Sequence, residues 1–375
     1  MMKNAIKILH IMSSAELGGG ERYLLDVIEN SDKIFEHIVV LPYKGQFEKL
    51  LDKYGYYYLK VNLRKKFSIK SLIKIINIVR TENIDIIHTH GFRANFYGRL
   101  AIFLKKIKHI ETIHVSLLDY IDTPILLRCF YILVEYILSY KTSKYICVSN
   151  AMAEDTKKIG IPAHKIVVIM NGVNINKFHP RFVSSNKKDE LGIDPKNHVI
   201  GTIGRMVNEK GQIYLIEAIK IIKKEIKNVQ CIFLGNGPAL PLLKKRASEL
   251  KIEESCIFIG VRQDVELIYS LLDLFILPSL REPFGIVLLE AMASRVPVIA
   301  TNKGGPCEYI ATGINGVLVE SCDPESIAIE AIELLKNKNR AQTLAENGEK
   351  FVKSNFNIKD VVKKIDGIYH SLTKI

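Results

Sequence analysis

Two glutamates, Glu282 and Glu290, stand with seven residues between them in Arg281-Glu282-Pro283-Phe284-Gly285-Ile286-Val287-Leu288-Leu289-Glu290-Ala291-Met292-Ala293. Pro283 and Gly285 favour a turn, whereas Ile286 to Ala293 contains no helix breaker. Glu282 is therefore expected just before a helix and Glu290 about two turns into it. A helix N-terminus offers unpaired N–H groups and a partial positive charge, which suit a diphosphate. A buried glutamate further along can accept hydrogen bonds from sugar hydroxyls, so the pair suggests a nucleotide-sugar site. Two glutamates at this spacing also fit the solvated face of an ordinary helix, and other segments must decide.

Gly204-Arg205-Met206-Val207-Asn208-Glu209-Lys210-Gly211 follows an apolar run and carries two cations. Arg205 can grip an anion bidentately and Lys210 can act on it as a point charge. Ser13-Ser14-Ala15-Glu16-Leu17-Gly18-Gly19-Gly20-Glu21-Arg22 is a glycine run that opens a helix, where the backbone can approach a phosphate closely. It is neither the G-x-G-x-x-G dinucleotide fingerprint nor a P-loop, because no Gly-Lys-Ser/Thr follows. His88 and His90 suggest a metal pair but lack a third ligand nearby in sequence, so they read as acceptor-side or structural residues.

The elements that must position these residues follow from the apolar pattern. The chain of 375 residues exceeds the usual size of one core, so two domains are expected. Short apolar runs at Ile6–Ile11, Ile38–Leu41, Tyr57–Val61, Ile84–His88, Ile110–Ile113 and Tyr145–Val148 alternate with helical patterns. A second set, at Val199–Ile203, Cys231–Leu234, Ile257–Ile259, Leu274–Leu277, Val298–Ala300 and Gly316–Val319, does the same. Two such series predict two doubly wound α/β domains, with ligands at the carboxyl ends of the strands. The linker is expected from Asn171 to Pro180 and on into polar Ser184–Lys188, which gives domains of 1–180 and 185–355.

With 48% hydrophobic and 25% charged residues the chain is globular, and its formal net charge is +13. The excess lies mainly in residues 1–180, and within them in residues 51–110. There Arg64-Lys65-Lys66 leads into a helical pattern with Ile69, Leu72, Ile73, Ile76 and Val79 on one face and Lys70, Lys74 and Asn77 on another. Such a helix can lie on an anionic membrane, or its apolar face is simply core and its lysines solvated. Nucleic acid is not expected, because neither aromatic stacking residues nor zinc-ligand spacing accompanies the charge. The six cysteines form no CxxC pair, which indicates a reducing compartment and no zinc site. The N-terminus reads as a buried first strand, not a signal peptide. The longest apolar stretch, Ile125–Leu138, is interrupted by Arg128 and Glu135, so any membrane contact is expected to be peripheral.

Glu282-x7-Glu290 within Glu-Pro-Phe-Gly, Gly204-Arg205 with Lys210-Gly211, the Gly18-to-Arg22 loop, and Val148-Ser149-Asn150 followed by Asn171-Gly172-Val173 together resemble the retaining group 1 glycosyltransferases of GT-B fold. The likeness spans most of the chain. It implies two Rossmann-like domains facing across a cleft, the acceptor on the N-terminal side and the donor on the C-terminal side. It also implies a final helix, at about 358–372, that crosses back to the first domain. Arg205 and Lys210 would hold the donor diphosphate, helped by the amides around Phe284, Gly285 and Ile286. Glu290 would bind the ribose and Glu282 would contact the transferred sugar. The backbone of Val261 would meet the nucleobase, Gly19 or Gly20 would close on the phosphates, and His114 matches the family's histidine near the sugar. Asn174 departs from the family pattern, where Asp is usual.

The chain has no Asp-x-Asp, so no divalent metal and no other cofactor is expected; Arg205, Lys210 and the helix N-terminus would offset the diphosphate charge. The expected activity is retaining transfer of a hexose or N-acetylhexosamine from a nucleoside-diphosphate sugar, UDP-linked, to a glycan or lipid-linked acceptor in cell-envelope polysaccharide synthesis. The expected location is cytoplasmic, with peripheral contact at the inner face of the membrane if the basic helix serves that use. The alternatives are a nucleotide-sugar epimerase or other GT-B enzyme, an NAD-dependent oxidoreductase, which the missing fingerprint disfavours, and a non-catalytic binding protein.

Overall fold

The computed structural model describes residues 5–63, 68–102, 107–119, 124–183 and 185–373. Arg64, Lys65 and Lys66, part of the expected basic segment, lie outside them, as does Ser184. Contacts divide the chain into two units, Met1–Asn171 with Ile358–Ile375, and Gly172–Asn357.

The first unit is built on strands β1 (Ile6–Met12), β2 (Phe35–Leu41), β3 (Tyr58–Lys60), β4 (Ile86–His90), β5 (Lys108–Ile113), β6 (Lys144–Cys147) and β7 (Ile166–Val168). They pair in the order β3-β2-β1-β4-β5-β6-β7, all parallel. Helices α1 (Gly19–Asn30), α2 (Gln46–Tyr54), α3 (Ile69–Thr81), α4 (Phe92–Ala101), α5 (Ile125–Leu138) and α6 (Asn150–Lys158) connect them. Parallel strands need crossovers on both faces, so β1 reads as a nearly unbroken apolar run and is buried on both sides. The part-buried edge strand β7 was not among the expected strands.

The second unit holds β8 (His198–Ile203), β9 (Val229–Leu234), β10 (Cys256–Gly260), β11 (Leu274–Leu277), β12 (Val298–Thr301) and β13 (Val317–Val319), in the parallel order β10-β9-β8-β11-β12-β13. Its helices are α7 (Ser185–Glu190), α8 (Gln212–Glu225), α9 (Leu240–Glu249), α10 (Val265–Tyr269), α11 (Ile286–Ala293), α12 (Pro324–Lys336) and α13 (Lys338–Asn355). Two doubly wound parallel sheets of this kind are the α/β architecture of a GT-B protein.

The chain leaves the first unit after Asn171, earlier than composition suggested. Val173 N–H donates to Phe356 O at 2.8 Å, and the Phe178 ring packs edge-on to Tyr269 at 5.8 Å, which holds Gly172–Pro180 on the second unit. Part of the expected polar linker is helical in α7, where Lys187 pairs with Glu190 and Asp264, both at 2.9 Å. The last helix, α14 (Ile358–Thr373), belongs to the first unit. Its Asp366 accepts from the Ser31 hydroxyl at 2.5 Å and from Asp32 N–H at 2.9 Å, and its Tyr369 ring meets Phe35 edge-on.

Helix α5 is turned inside out. Its buried residue is Glu135, 4% exposed, while Leu126 is 84% and Phe130 56% exposed, with Ile125, Leu133, Tyr136 and Ile137 also outside. Glu135 turns inward because Arg99 is buried there, bonded also to Glu111, Thr142 (2.9 Å) and Tyr145 (3.0 Å). Burial opposes the Arg99 charge, but Glu135 and Glu111 outweigh it and hold its pKa above the ordinary value. Burial, and then the Glu135 charge, raise the Glu111 pKa well above the usual carboxylate range, against the opposing pull of Arg99. Helix α3 departs from expectation too: Val79 is buried, but Ile69 and Ile73 are exposed and Ile75 and Ile78 are inside. The apolar side chains therefore do not form one inward stripe.

Candidate functional site

Because every strand in the second sheet is parallel, the loops leaving β8, β9, β10, β11 and β12 emerge on one edge. The β8 loop, with Arg205 and Lys210, reaches the β11 loop through Gly211. A Cβ on Gly211 would lie 2.0 Å from Pro278 O, so any side chain there would force the loops apart. Leu280 N–H donates to Glu209 O at 2.9 Å across the same contact. The β12 loop closes from the other side, where a Cβ on Gly304 would lie 2.2 Å from Glu282 O. Gly305 N–H donates to that oxygen at 2.8 Å, and Glu282 N–H donates to Lys303 O at 3.1 Å.

Held at both its N–H and its carbonyl, Glu282 turns its carboxylate inward and is 6% exposed. Lys210 Nζ donates to Oε2 at 2.6 Å and the Ser279 hydroxyl donates to the same oxygen at 2.8 Å. Lys210 was expected to face a diphosphate and Glu282 a sugar; the structure ties the two together and adds Ser279, which sequence reading missed. The ammonium keeps two further donors beyond the one given to Glu282. Arg205 is exposed on the same loop, with its main-chain oxygen accepting from Gln212 Nε2 at 2.9 Å.

Glu290 lies one turn, not two, into α11, because the helix begins at Ile286. It is buried, and the Tyr269 hydroxyl stands 2.8 Å from its Oε2 and 3.0 Å from Val287 O. Tyr269 was also missed; the available signal was a tyrosine in a short apolar pattern, whose hydroxyl must find a partner when buried.

Phe284 and Gly285 precede α11, and Phe284 packs on Tyr309 and Phe356 at 5.3 and 6.2 Å. The Tyr309 hydroxyl lies 2.7 Å from Phe284 O and 3.2 Å from Gly285 O. In a trans peptide the N–H points opposite to the C=O, so the N–H groups of Gly285 and Ile286 face away from Tyr309. Burial, with the Glu282 charge adding to it, raises the Tyr309 pKa well above its ordinary value, so the hydroxyl keeps its proton. Val261 is half exposed on the same edge, just after Gly260, whose carbonyl accepts from Gly235 N–H at 2.8 Å.

In the first unit, Gly20 and His114 come together: a Cβ on Gly20 would lie 3.5 Å from His114 Cδ2. Gly19 is exposed and a Cβ there would meet nothing within 4 Å. The Tyr23 ring stands edge-on to His114 at 5.0 Å, and burial lowers the His114 pKa to about 4, so the ring is neutral at physiological pH. His88 and His90 do have a third imidazole nearby, contrary to the sequence reading. The β1–β4 register sets His10 opposite His88, and ring nitrogens of His10, His88 and His90 come within 4.8 Å of one another. No local spacing reveals a ligand supplied by a neighbouring strand.

Residues 183–351 match the family described as glycosyl transferases group 1, and residues 17–177 match glycosyltransferase family 4. A glycosyltransferase of Methanocaldococcus jannaschii is 30% identical, over 79% of this chain and 78% of its own. The chain is a group 1 glycosyltransferase. This glycosyltransferase is also 26% identical to the UDP-Gal:alpha-D-GlcNAc-diphosphoundecaprenol alpha-1,3-galactosyltransferase of Escherichia coli, over 97% of the chain and 96% of that protein. Anabaena HepE, crystallised with UDP and glucose, superposes with a TM-score of 0.88 at 24% identity, covering 98% of this chain and 100% of that one, which fixes the fold as GT-B.

Proposed function

We propose that this glycosyltransferase moves a hexose or N-acetylhexosamine with retention from a UDP-linked sugar to a glycan or lipid-linked acceptor of the cell envelope. The observation that carries the reading is the Lys210–Glu282–Ser279 cluster in front of α11, with Glu290 buried one turn behind it. Arg205, Lys210 and the N–H groups of Gly285 and Ile286 offset the diphosphate charge without a divalent metal, in keeping with the absence of Asp-x-Asp. Glu290, steadied by Tyr269, accepts from the ribose hydroxyls, and the backbone at Val261 meets the base. Glu282 acts at the transferred sugar; within the first unit, His114 and the Gly19-Gly20 backbone are the candidate substrate contacts. Departure of the diphosphate gives an oxocarbenium-like centre that the acceptor attacks from the same face. The E. coli relative's UDP-galactose donor and lipid-linked acceptor, and the UDP held by Anabaena HepE, support this choice of donor and acceptor class.

The protein works in the cytoplasm, with α5 lying against the anionic inner face of the membrane. Among the described residues no helix is long and apolar enough to cross a bilayer. The outward face of α5 is apolar, its acidic residue is buried, and Lys165, which donates to Ser139 O and Tyr140 O, and Lys141 stand at its C-terminal end. That pattern suits anionic lipid.

Calorimetry with UDP, GDP, ADP and NAD in the presence of EDTA tests the donor assignment, on the wild type and on Glu290→Ala. UDP binding that survives EDTA and is lost in the variant is the expected result. Binding of NAD alone, or of no nucleotide by folded protein, overturns it.

A further inference from the structure

Four imidazoles follow one another across the first sheet: His37 on β2, His10 on β1, His90 on β4 and His114 just past β5. Registry puts them on one face, since Ile8 pairs with His37, His10 with His88 and Met12 with His90. His37 Nδ1 lies 2.9 Å from His10 Nε2, His10 Nδ1 3.2 Å from His90 Nε2, and His90 Nδ1 3.3 Å from His114 Nε2. Each link joins the Nδ1 of one ring to the Nε2 of the next, always in the same sense.

Burial keeps these rings neutral, lowering the pKa of His37 and His114 to about 4 and those of His10 and His90 well below the ordinary value. A neutral imidazole carries one proton, so its place on any ring dictates its place on all four. With every proton on Nδ1, His37 donates to His10, His10 to His90 and His90 to His114, and the atom left over is a bare Nε2 on His37. With every proton on Nε2 the chain runs the other way and the leftover atom is a His37 N–H. His37 Nε2 is buried with no hydrogen-bond partner among the described residues. A buried N–H without an acceptor is the rarer of the two defects, which selects the first arrangement.

A cation shared by His10, His88 and His90 competes poorly for these nitrogens. His88 faces the Tyr369 hydroxyl at 2.8 Å and the Thr112 hydroxyl at 2.7 Å, and both nitrogens of His10 and of His90 face neighbouring rings. A metal would need a lone pair already engaged on each ring.

We propose that His37, His10 and His90 are positioning residues that lock His114 with its proton on Nδ1 and its Nε2 occupied as an acceptor. The ring then offers a neutral N–H donor to an approaching oxygen and holds no free base nitrogen. The function of this device rests on the reading of His114 as a site residue, whereas the tautomer itself does not.

Histidine-selective 15N labelling with long-range 1H–15N spectra at pH 7 reports which nitrogen of each ring is protonated, and single substitutions assign the signals. The wild-type spectrum is expected to show Nδ1–H at His37, His10, His90 and His114. In His37→Phe and His10→Phe the donor at the head of the chain is lost, and His114 is expected to show both tautomers. Near-UV circular dichroism checks that these variants are folded. An Nε2–H ring at His114 in the wild type overturns the proposal without any variant. An unmoved His114 tautomer in both folded variants overturns it too, as do signals of His10, His88 and His90 that shift together with one equivalent of zinc. If the Nδ1–H chain is present but His114→Gln turns over at the wild-type rate, the chain stands and the site role of His114 falls.

Discussion

Lys210 Nζ and Glu282 Oε2 are 2.6 Å apart although 72 residues separate them in sequence. Under the proposed function the pair sets the cation assigned to the diphosphate directly beside the carboxylate assigned to the sugar, so neither group is expected to act alone. Glu282→Gln is expected to lower turnover by roughly 10²-fold while leaving UDP affinity within a few-fold, as for loss of one preorganised electrostatic group. Lys210→Ala is expected to weaken UDP as well. A double-mutant cycle on kcat/KM checks the coupling, which should reach about 0.5–3 kcal/mol for residues in direct contact. Strict additivity would separate the two roles.

Under the proposed function Glu290 holds the ribose, so its loss is expected to act on donor binding more than on the chemical step. Glu290→Ala is expected to raise the UDP Kd by at least about tenfold with a smaller effect on turnover. Tyr269→Phe removes one hydrogen bond from the same carboxylate and should cost about 1 kcal/mol of UDP affinity. Equal Kd values in both variants and the wild type, read by calorimetry, would take Glu290 out of the site.

The buried histidines set an acid limit on stability. The folded pKa values of His37 and His114 are lowered to about 4 and that of His88 to about 3, and those of His10, His90 and His109 lie well below the ordinary value; burial is the leading cause throughout. Unfolded histidine binds its proton near pH 6.5, which the native state refuses, so stability is complete above that pH and falls as pH drops toward 4. The slope is about 1.4 kcal/mol per pH unit for each participating ring. Glu111, whose folded pKa is raised, has the opposite sign: its contribution is present below the ordinary glutamate value and fades as pH rises. The rings outnumber it, so the urea midpoint should fall steadily from pH 7 to pH 5; a flat midpoint would mean that the rings are charged in the native state.

The exposed apolar face of α5 gives the proposed membrane contact an address. Leu126→Glu, Phe130→Glu and Leu133→Glu together are expected to lower co-sedimentation with anionic vesicles at least about tenfold. Lys70→Ala with Lys74→Ala on α3, where Lys74 is held by Lys60 O at 2.7 Å, should do less. The reverse ranking would return the contact to α3, and release of a dimer by the α5 variant would reassign that face to a second copy of the chain.

What the sequence determined by itself is local. Apolar runs of three to six residues alternating with helical patterns were enough to read twelve strands, since most of them are buried in a parallel sheet; β7, a part-buried edge strand, was not among them. Pro283 and Gly285 put Glu282 ahead of a helix and Glu290 inside it because turn and helix preferences act over a few residues. The tertiary structure decided everything that depends on a partner far along the chain. Strand registry brought His10 beside His88 and His90, loop packing at Gly211 and Gly304 delivered Lys210 and Ser279 to Glu282, and Tyr269 came to Glu290 from another helix. It also overruled the pattern of α5, where the cost of an unpaired Arg99 in the core draws Glu135 inward and leaves the leucines and phenylalanine outside. A charge that must be neutralised over a few ångströms outweighs the sequence periodicity of the helix that carries its partner.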